Sequence, residues 1–165
     1  MGLGSQMLSS RQQVVPRQVE CASHQGLAEG RVSQGAPRVL HQPDDELCCF
    51  RDLEPGAEHH YLVVPNRHID SCISLRKEHV PLVEKMVEMG KAVLLKHHVA
   101  DLADIRMGFH VPPFYSVPHL HLHVLAPASQ MNLRSLYNYG PRAFWFITVD
   151  QLLQKLNSKM DQPWY

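Results

Sequence analysis

From residue 37 onward the apolar positions fall into runs with two contrasting periods. Val39-Leu40, Leu47 to Phe50 and Tyr61 to Val64 are short strand-favouring runs, separated by Pro43-Asp44-Asp45 and by Glu54-Pro55-Gly56. That punctuation predicts a small antiparallel meander. Between Val80 and His98 the period lengthens. Leu82, Val83, Met86, Val87, Val93 and Leu94 fall on one stripe, with Glu84, Lys85, Glu88 and Lys91 largely off it. This spacing predicts an amphipathic helix covering one face of a sheet. Pro81 has no amide proton and fits only a first turn, so the regular helix should start near Glu78 or kink at the proline.

Ile105 to His110 and Pro118 to Leu125 read as two further strands, joined by the proline-bearing loop Val111-Pro112-Pro113-Phe114. Beyond Pro127 the pattern predicts a short helix over Ser129–Tyr137, an apolar strand over Phe144–Ile147 and a closing helix over Asp150–Asn157. Asp150 is the expected N-cap of that helix. Strands first, one main helix between them and no βαβ rhythm argue for an α+β domain. Residues 1–36 are rich in Gln, Ser and Gly, and their isolated valines keep neither period, as expected of a disordered leader. The expected organisation is a leader over 1–36, a domain with a C-terminal extension over 37–158, and a tail over 159–165.

Composition narrows the partners. The 165 residues suffice for one ordinary domain, and 16 Lys plus Arg balance 16 Asp plus Glu. No global positive field favours nucleic acid or an acidic membrane, so a small molecule or another protein is the expected partner. Cys21, Cys48, Cys49 and Cys72 contain no C-x-x-C. Adjacent Cys48 and Cys49 in a strand would face opposite ways, so all four read as reduced thiols of an intracellular protein. The apolar runs are far shorter than the roughly 18 to 20 residues a bilayer span needs. Met1–Ser10 lacks a charged start followed by an apolar core. Gly2 suggests myristoylation, but that signal wants Ser or Thr where Gln6 stands. The acid-poor start with Arg11 and Arg17 faintly resembles a mitochondrial presequence; a solvated tail is the favoured reading.

Candidate chemistry lies in His119-Leu120-His121-Leu122-His123-Val124-Leu125. Successive strand side chains point to opposite faces, so strict alternation places three imidazoles on one face and Leu120, Leu122 and Val124 on the other. Imidazoles so close cannot all be charged, so at least one should stay neutral near pH 7. A neutral imidazole nitrogen is a nucleophile, and a charged neighbour is an acid or an anion clamp, which suits phosphorus chemistry. Three histidines plus one water would also make a hydrolytic zinc site, an alternative the periodicity leaves open.

The strand matches the His-x-His-x-His-x-x signature of the histidine-triad superfamily. Phe50-Arg51-Asp52-Leu53-Glu54-Pro55-Gly56 through His60 to His68 resembles that family's upstream strand-turn-strand. Ser116-Val117-Pro118-His119 resembles the approach to the triad in its nucleotide-binding, Hint-like branch, and the resemblance covers about residues 38 to 157. It implies an antiparallel five-stranded sheet with one main amphipathic helix and a C-terminal helical extension. It further implies that His121 attacks the α-phosphorus of a nucleotide conjugate and forms a nucleotidyl-histidine that water hydrolyses. His123 and His119 would hold the phosphate and assist proton transfer, and His60 would join the network from the neighbouring strand. Ser116 would contact the phosphate or leaving group, Asp52 the ribose hydroxyls, and Phe50 with Leu53 the base. The family works without a catalytic metal or other cofactor. Nucleotidyl-transferase relatives carry Gln where this chain has His123, which favours hydrolysis.

The chain departs from the pattern in places. Where relatives begin with Cys-x-x-Cys, it offers Cys21-Ala22-Ser23-His24, a pair that could bind zinc with His68, though a chance pair is favoured. His110 stands near the phosphate where many Hint-like proteins have Asn, and the loop before Ser116 is shorter. The segment around Phe144–Leu156 is longer than in the smallest relatives, and its apolar strand is a natural assembly surface. The expected activity is hydrolysis of purine nucleoside 5'-phosphoramidates and aminoacyl-adenylates to the monophosphate. The alternative is a non-catalytic nucleotide-binding interaction module. A homodimer or larger homo-oligomer, and residence in the cytoplasm with access to the nucleus, are expected by resemblance.

Overall fold

A computed structural model describes residues 46–115 and 117–158 together with the backbone of 39–41. Among these residues six strands form one antiparallel sheet: β1 (Val39–His41), β2 (Leu47–Arg51), β3 (His59–Pro65), β4 (Arg106–His110), β5 (Leu122–Ala126) and β6 (Phe146–Thr148). Their order across the sheet is β1-β2-β3-β5-β4-β6. The expected α+β architecture is therefore present, and the apolar strand of the C-terminal extension adds a sixth member beside β4. Three α-helices accompany the sheet: α1 (Val80–Lys96), α2 (Leu133–Tyr139) and α3 (Val149–Asn157).

Strand alternation divides the sheet into two chemically different faces. Tyr61 and Val63 of β3, Met107 and Phe109 of β4, and Leu122 and Val124 of β5 join Val83, Met86, Val93 and Leu94 of α1 in the main core. Leu122 is fully buried there, and removing a leucine side chain from water contributes about 1.5–3 kcal/mol. Alternate residues of the same strands, His60, His110, His123 and Leu125, take the other face. There Leu125, Met131, Tyr139, Ala143 and Phe146 form a smaller core under α2. Gly90 lets α1 come close, since a Cβ there would lie 2.8 Å from Val124 Cγ2.

Local boundaries differ from the sequence reading for identifiable reasons. Pro81 sits in the first turn of α1, after a 3-10 turn at Lys77–His79, so the helix needs no kink. Helix α2 starts only at Leu133 because Asn132 caps it, its side chain accepting the Ser135 amide at 2.9 Å. Thr148 rather than Asp150 caps α3. Its hydroxyl accepts the Gln151 amide and the Gln151 side chain accepts the Thr148 amide, a reciprocal capping box. Asp150 instead sits in the first turn, where its charge complements the helix dipole.

Strand β5 begins at Leu122 rather than Pro118, since its ladder with β3 ends at Val63 opposite Leu122 and the Leu120 amide bonds to the Ile69 carbonyl. The apolar Phe144–Ile147 segment is largely internal. Phe146 and Ile147 are buried in the chain's own cores, and only Phe144 of this pair-and-flank is strongly exposed, at 77%. Pairing with β4 thus engages one edge of β6.

Candidate active site

Three neighbouring strands each place a histidine on the second face of the sheet, with His60 in β3, His123 in β5 and His110 in β4. The register brings them into line: β3 pairs with β5, β5 with β4, and His110 lies opposite Phe146 of β6. His60 Nε2 lies 3.0 Å from His123 Nδ1, and His123 Nε2 lies 3.1 Å from His110 Nδ1.

Backbone groups at the two ends orient this row. The Gly56 amide donates to His60 Nδ1 at 2.9 Å, so a neutral His60 carries its proton on Nε2. That proton is directed to His123 Nδ1, so a neutral His123 carries its own on Nε2 and donates to His110 Nδ1. His110 then donates from Nε2 to the Asn138 carbonyl of α2 at 3.3 Å. All four hydrogen bonds run in one direction, and every ring nitrogen in the row has a partner.

His121 stands beside this row without joining it. Its Nδ1–H donates to the His119 carbonyl at 2.7 Å. Its Nε2 forms no hydrogen bond with any described residue, and a neutral ring bonded in this way has its lone pair there. The rings of His121 and His123 meet edge to face at 4.9 Å between centroids. His121 and His110 line one recess with His119, Tyr115, Asp70 and Cys72.

Burial keeps the cluster neutral. It pushes His60 down to about 4, helped by repulsion from His121. His110 is also held down to about 4, chiefly by burial, with His121 and His60 adding to the effect and the Asn138 carbonyl opposing it. His123 lies well below the ordinary histidine range, from burial and then from His121, His110 and His60. His121 is lowered by burial against the opposing pull of the His119 carbonyl and Asp52. Four clustered imidazoles removed from water cannot each carry a charge.

The remaining sequence-predicted residues divide into two groups. Asp52 belongs to the cluster: its Oδ2 is 3.5 Å from His60 Nε2 and its Oδ1 accepts the Glu54 amide at 2.8 Å. Burial raises its carboxyl, against the lowering effect of the Glu54 amide. Phe50 is half-buried near the end of β2, and Leu53 is 75% exposed in the following turn.

His119 leads elsewhere. Its Nε2–H donates to the Pro65 carbonyl at 2.9 Å and its Nδ1 is 3.2 Å from His68 Nδ1, while His68 Nε2 pairs with Asp70 at 3.0 Å. Its side chain therefore leaves the imidazole row, because residues 119 to 121 precede the regular strand; its carbonyl is the group that serves His121. Ser116, Cys21 and His24 lie outside the described residues.

Sequence reasoning missed Tyr139 and Gly56. The Tyr139 ring lies 5.2–5.3 Å from those of His60, His110 and His123 and shields them from water. Nothing in the local pattern marks it, whereas Gly56 could have been suspected from its turn four residues before His60. A Cβ on Gly56 would lie 2.8 Å from the Tyr139 ring.

Ring nitrogens of His110, His121 and His123 lie within 4.8 Å of one another, as do ligand atoms of Asp52, His60 and His123. These spacings could accommodate a divalent ion. Both nitrogens of His123 are already engaged in hydrogen bonds, however, so an ion would have to displace one of them.

Comparison with known proteins agrees with this geometry. The family model described as "Scavenger mRNA decapping enzyme C-term binding" matches residues 28–137. The chain is 50% identical over 125 residues to adenosine 5'-monophosphoramidase HINT3 of Xenopus tropicalis, covering 76% of this chain and 81% of that protein. Against the protein of the same name from Mus musculus, identity is 49% over 118 residues, with 72% of each covered. Among solved structures, a HIT family hydrolase from Legionella pneumophila superposes with a TM-score of 0.50 at 25% identity, covering 55% of this chain and 80% of that one. An aprataxin ortholog, Hnt3, solved with DNA, shares the fold with a TM-score of 0.54 at 24% identity, covering 73% and 68%. Alternating histidines, their neighbouring-strand partners and these matches together place the chain in the histidine-triad family.

Proposed function

We propose that this protein hydrolyses nucleoside 5'-phosphoramidates, adenosine 5'-phosphoramidates foremost, through a nucleotidyl-histidine formed on His121, and that aminoacyl-adenylates are substrates of the same site. One observation carries the reading. Of the four clustered imidazoles, His60, His110 and His123 have both ring nitrogens engaged in hydrogen bonds, whereas the Nε2 of His121, which lines the recess, has no hydrogen-bond partner among the described residues. Relatives about 50% identical over most of the chain bear the name adenosine 5'-monophosphoramidase, which supports this choice of bond.

The low-dielectric row keeps His121 neutral and nucleophilic at pH 7, and an arriving phosphate restores positive charge to its neighbours by Coulomb attraction. Attack by Nε2 on the α-phosphorus breaks the phosphorus–nitrogen bond and releases the amine. Water then displaces His121 and gives the monophosphate. Asp52, held beside His60 at 3.5 Å, accepts ribose hydroxyls, and Phe50 and Leu53 border the base.

The test is release of AMP from an adenosine 5'-phosphoramidate by wild type and His121→Ala with chelator present. Release by the wild type alone, with a nucleotidyl-protein trapped by rapid quenching, is the expected result. Equal release by both proteins would refute the role of His121. A wild type that binds AMP without turnover would favour the interaction module.

A further inference from the structure

The established architecture of the row leaves one question of proton balance. An amine leaving phosphorus needs a proton, and the water that later attacks must lose one. Held as it is, His123 cannot do either through Nε2, because that proton is already donated to His110 Nδ1 at 3.1 Å and His123 Nδ1 is occupied by His60 at 3.0 Å. Losing its Nε2 proton would make His123 an imidazolate, which burial in an apolar surround opposes. His119 is turned toward Pro65 and His68.

His110 is differently placed. It lines the recess with His121, and ring nitrogens of His110 and His121 lie within 4.8 Å of each other. Its Nε2–H is anchored on the Asn138 carbonyl. Its Nδ1 is held only by the proton of His123, which a bound phosphate oxygen can attract instead.

We infer that His110 is the catalytic acid and base of both half-reactions, acting through Nδ1, with His123 switching its Nε2–H from His110 to a phosphate oxygen when substrate binds. The inference rests on the covalent route proposed above. On binding, the freed His110 Nδ1 takes a proton from solvent. In the first half-reaction the His121 Nε2 lone pair forms a bond to phosphorus and the phosphorus–nitrogen bond breaks. Its electron pair stays on the amine nitrogen, which receives the Nδ1 proton of His110. In the second, a water oxygen bonds to phosphorus while its proton passes to the neutral His110 Nδ1. The bond between phosphorus and His121 Nε2 breaks, and its electron pair returns to the ring. Water is the only co-reactant, and His110 ends protonated as it began.

The groups facing His110 fit this cycle. His121 and His123 of the β5 segment, His60 of β3, Asp52 and the Tyr139 ring of α2 surround it, and Phe146 of β6 closes one side. Burial holds the ring down to about 4, and a bound anionic phosphate would favour its charged form. That makes it a base after the amine has left and an acid before.

The test compares two substrates in wild type, His110→Asn and His110→Gln. One is an alkylamine adenosine 5'-phosphoramidate, whose leaving group needs a proton. The other is the p-nitrophenyl ester of AMP, whose leaving group does not. Each variant should lose about 100- to 10,000-fold in kcat on the phosphoramidate, the range for a general acid–base residue. On the nitrophenyl ester each should give a burst of about one nitrophenol per site and then stall, with nucleotidyl-protein accumulating by quenched mass spectrometry. Thermal melts verify folding, and the intact burst itself shows an intact nucleophile. Turnover within about threefold of wild type, or equal losses on both substrates without accumulated intermediate, would overturn the acid–base role. A wild type that never forms nucleotidyl-protein while His121→Ala stays active would overturn the covalent route and this inference with it; the two failures are told apart by which protein shows them.

Discussion

Acid should unfold this protein well above the range in which carboxylates titrate. His60 falls from 6.5 to about 4 on folding, and at about 1.4 kcal/mol per pH unit of difference this corresponds to about 3 kcal/mol. His110 falls to a similar value, while His121 and His123 are lowered as well. The sign follows from proton counting. A histidine whose folded pKa is depressed contributes stability that is fully present above its unfolded value of 6.5 and is lost as pH falls toward its folded value. Between pH 6.5 and 5 the unfolded chain binds protons on these rings that the native protein refuses.

Two such rings give a slope of roughly 2–3 kcal/mol per pH unit near the middle of that window, and all four would steepen it. Total stability of an ordinary domain is about 5–15 kcal/mol, so the loss is a substantial fraction. Asp52 opposes the trend, since its carboxyl, raised by burial, favours the folded state as pH falls toward the carboxylate range. Urea unfolding monitored by circular dichroism at pH 7.5, 6.5, 6.0, 5.5 and 5.0 measures the slope, with pH values chosen to bracket the window. His110→Asn removes one titrating ring and should reduce the slope by about 1.4 kcal/mol per pH unit. Stability that varies by less than about 1 kcal/mol across the window, or an unchanged slope in His110→Asn, would refute the neutral buried row.

Other consequences concern how the C-terminal extension supports the site. Gly108→Ala places a Cβ against the Ile147 carbonyl and 2.6 Å from Phe146 Cε1, so β6 must move from β4. Overpacking of this type costs about 1–3 kcal/mol, and an unaltered urea midpoint would contradict it. Thr148→Ala should destabilise by about 1 kcal/mol through loss of the α3 cap, against a few tenths for Asp150→Ala; reversal of that order in thermal melts would show the cap to be misplaced. Burial pushes the Cys49 and Cys72 thiols up to about 12. Both should resist alkylation in native protein and react on unfolding, and rapid native labelling at either position by peptide mapping would count against the packing.

Much of this architecture was local information. Alternation in His119–Leu125 was sufficient to separate an imidazole face from an apolar one, because the period of a strand is set by backbone geometry. Leu120, Leu122 and Val124 are accordingly in the main core, and His123 and Leu125 lie opposite. The stripe from Leu82 to Leu94 likewise specified which side of α1 meets the sheet. The resemblance then named His60 and Asp52 as companions from a distant segment.

Tertiary structure decided the rest. Periodicity could not tell that the strand starts after His121, since that depends on where β3 ends and on the Ile69 carbonyl capturing the Leu120 amide. It therefore could not turn His119 away from its two partners. Nor could it orient the imidazole row, whose proton positions are fixed by the Gly56 amide at one end and the Asn138 carbonyl at the other. Those groups are 82 residues apart in the chain, and only the folded sheet with α2 across it brings them to opposite ends of one line. Hydrogen-bond direction is a property of the whole row, so no single residue's sequence context encodes it.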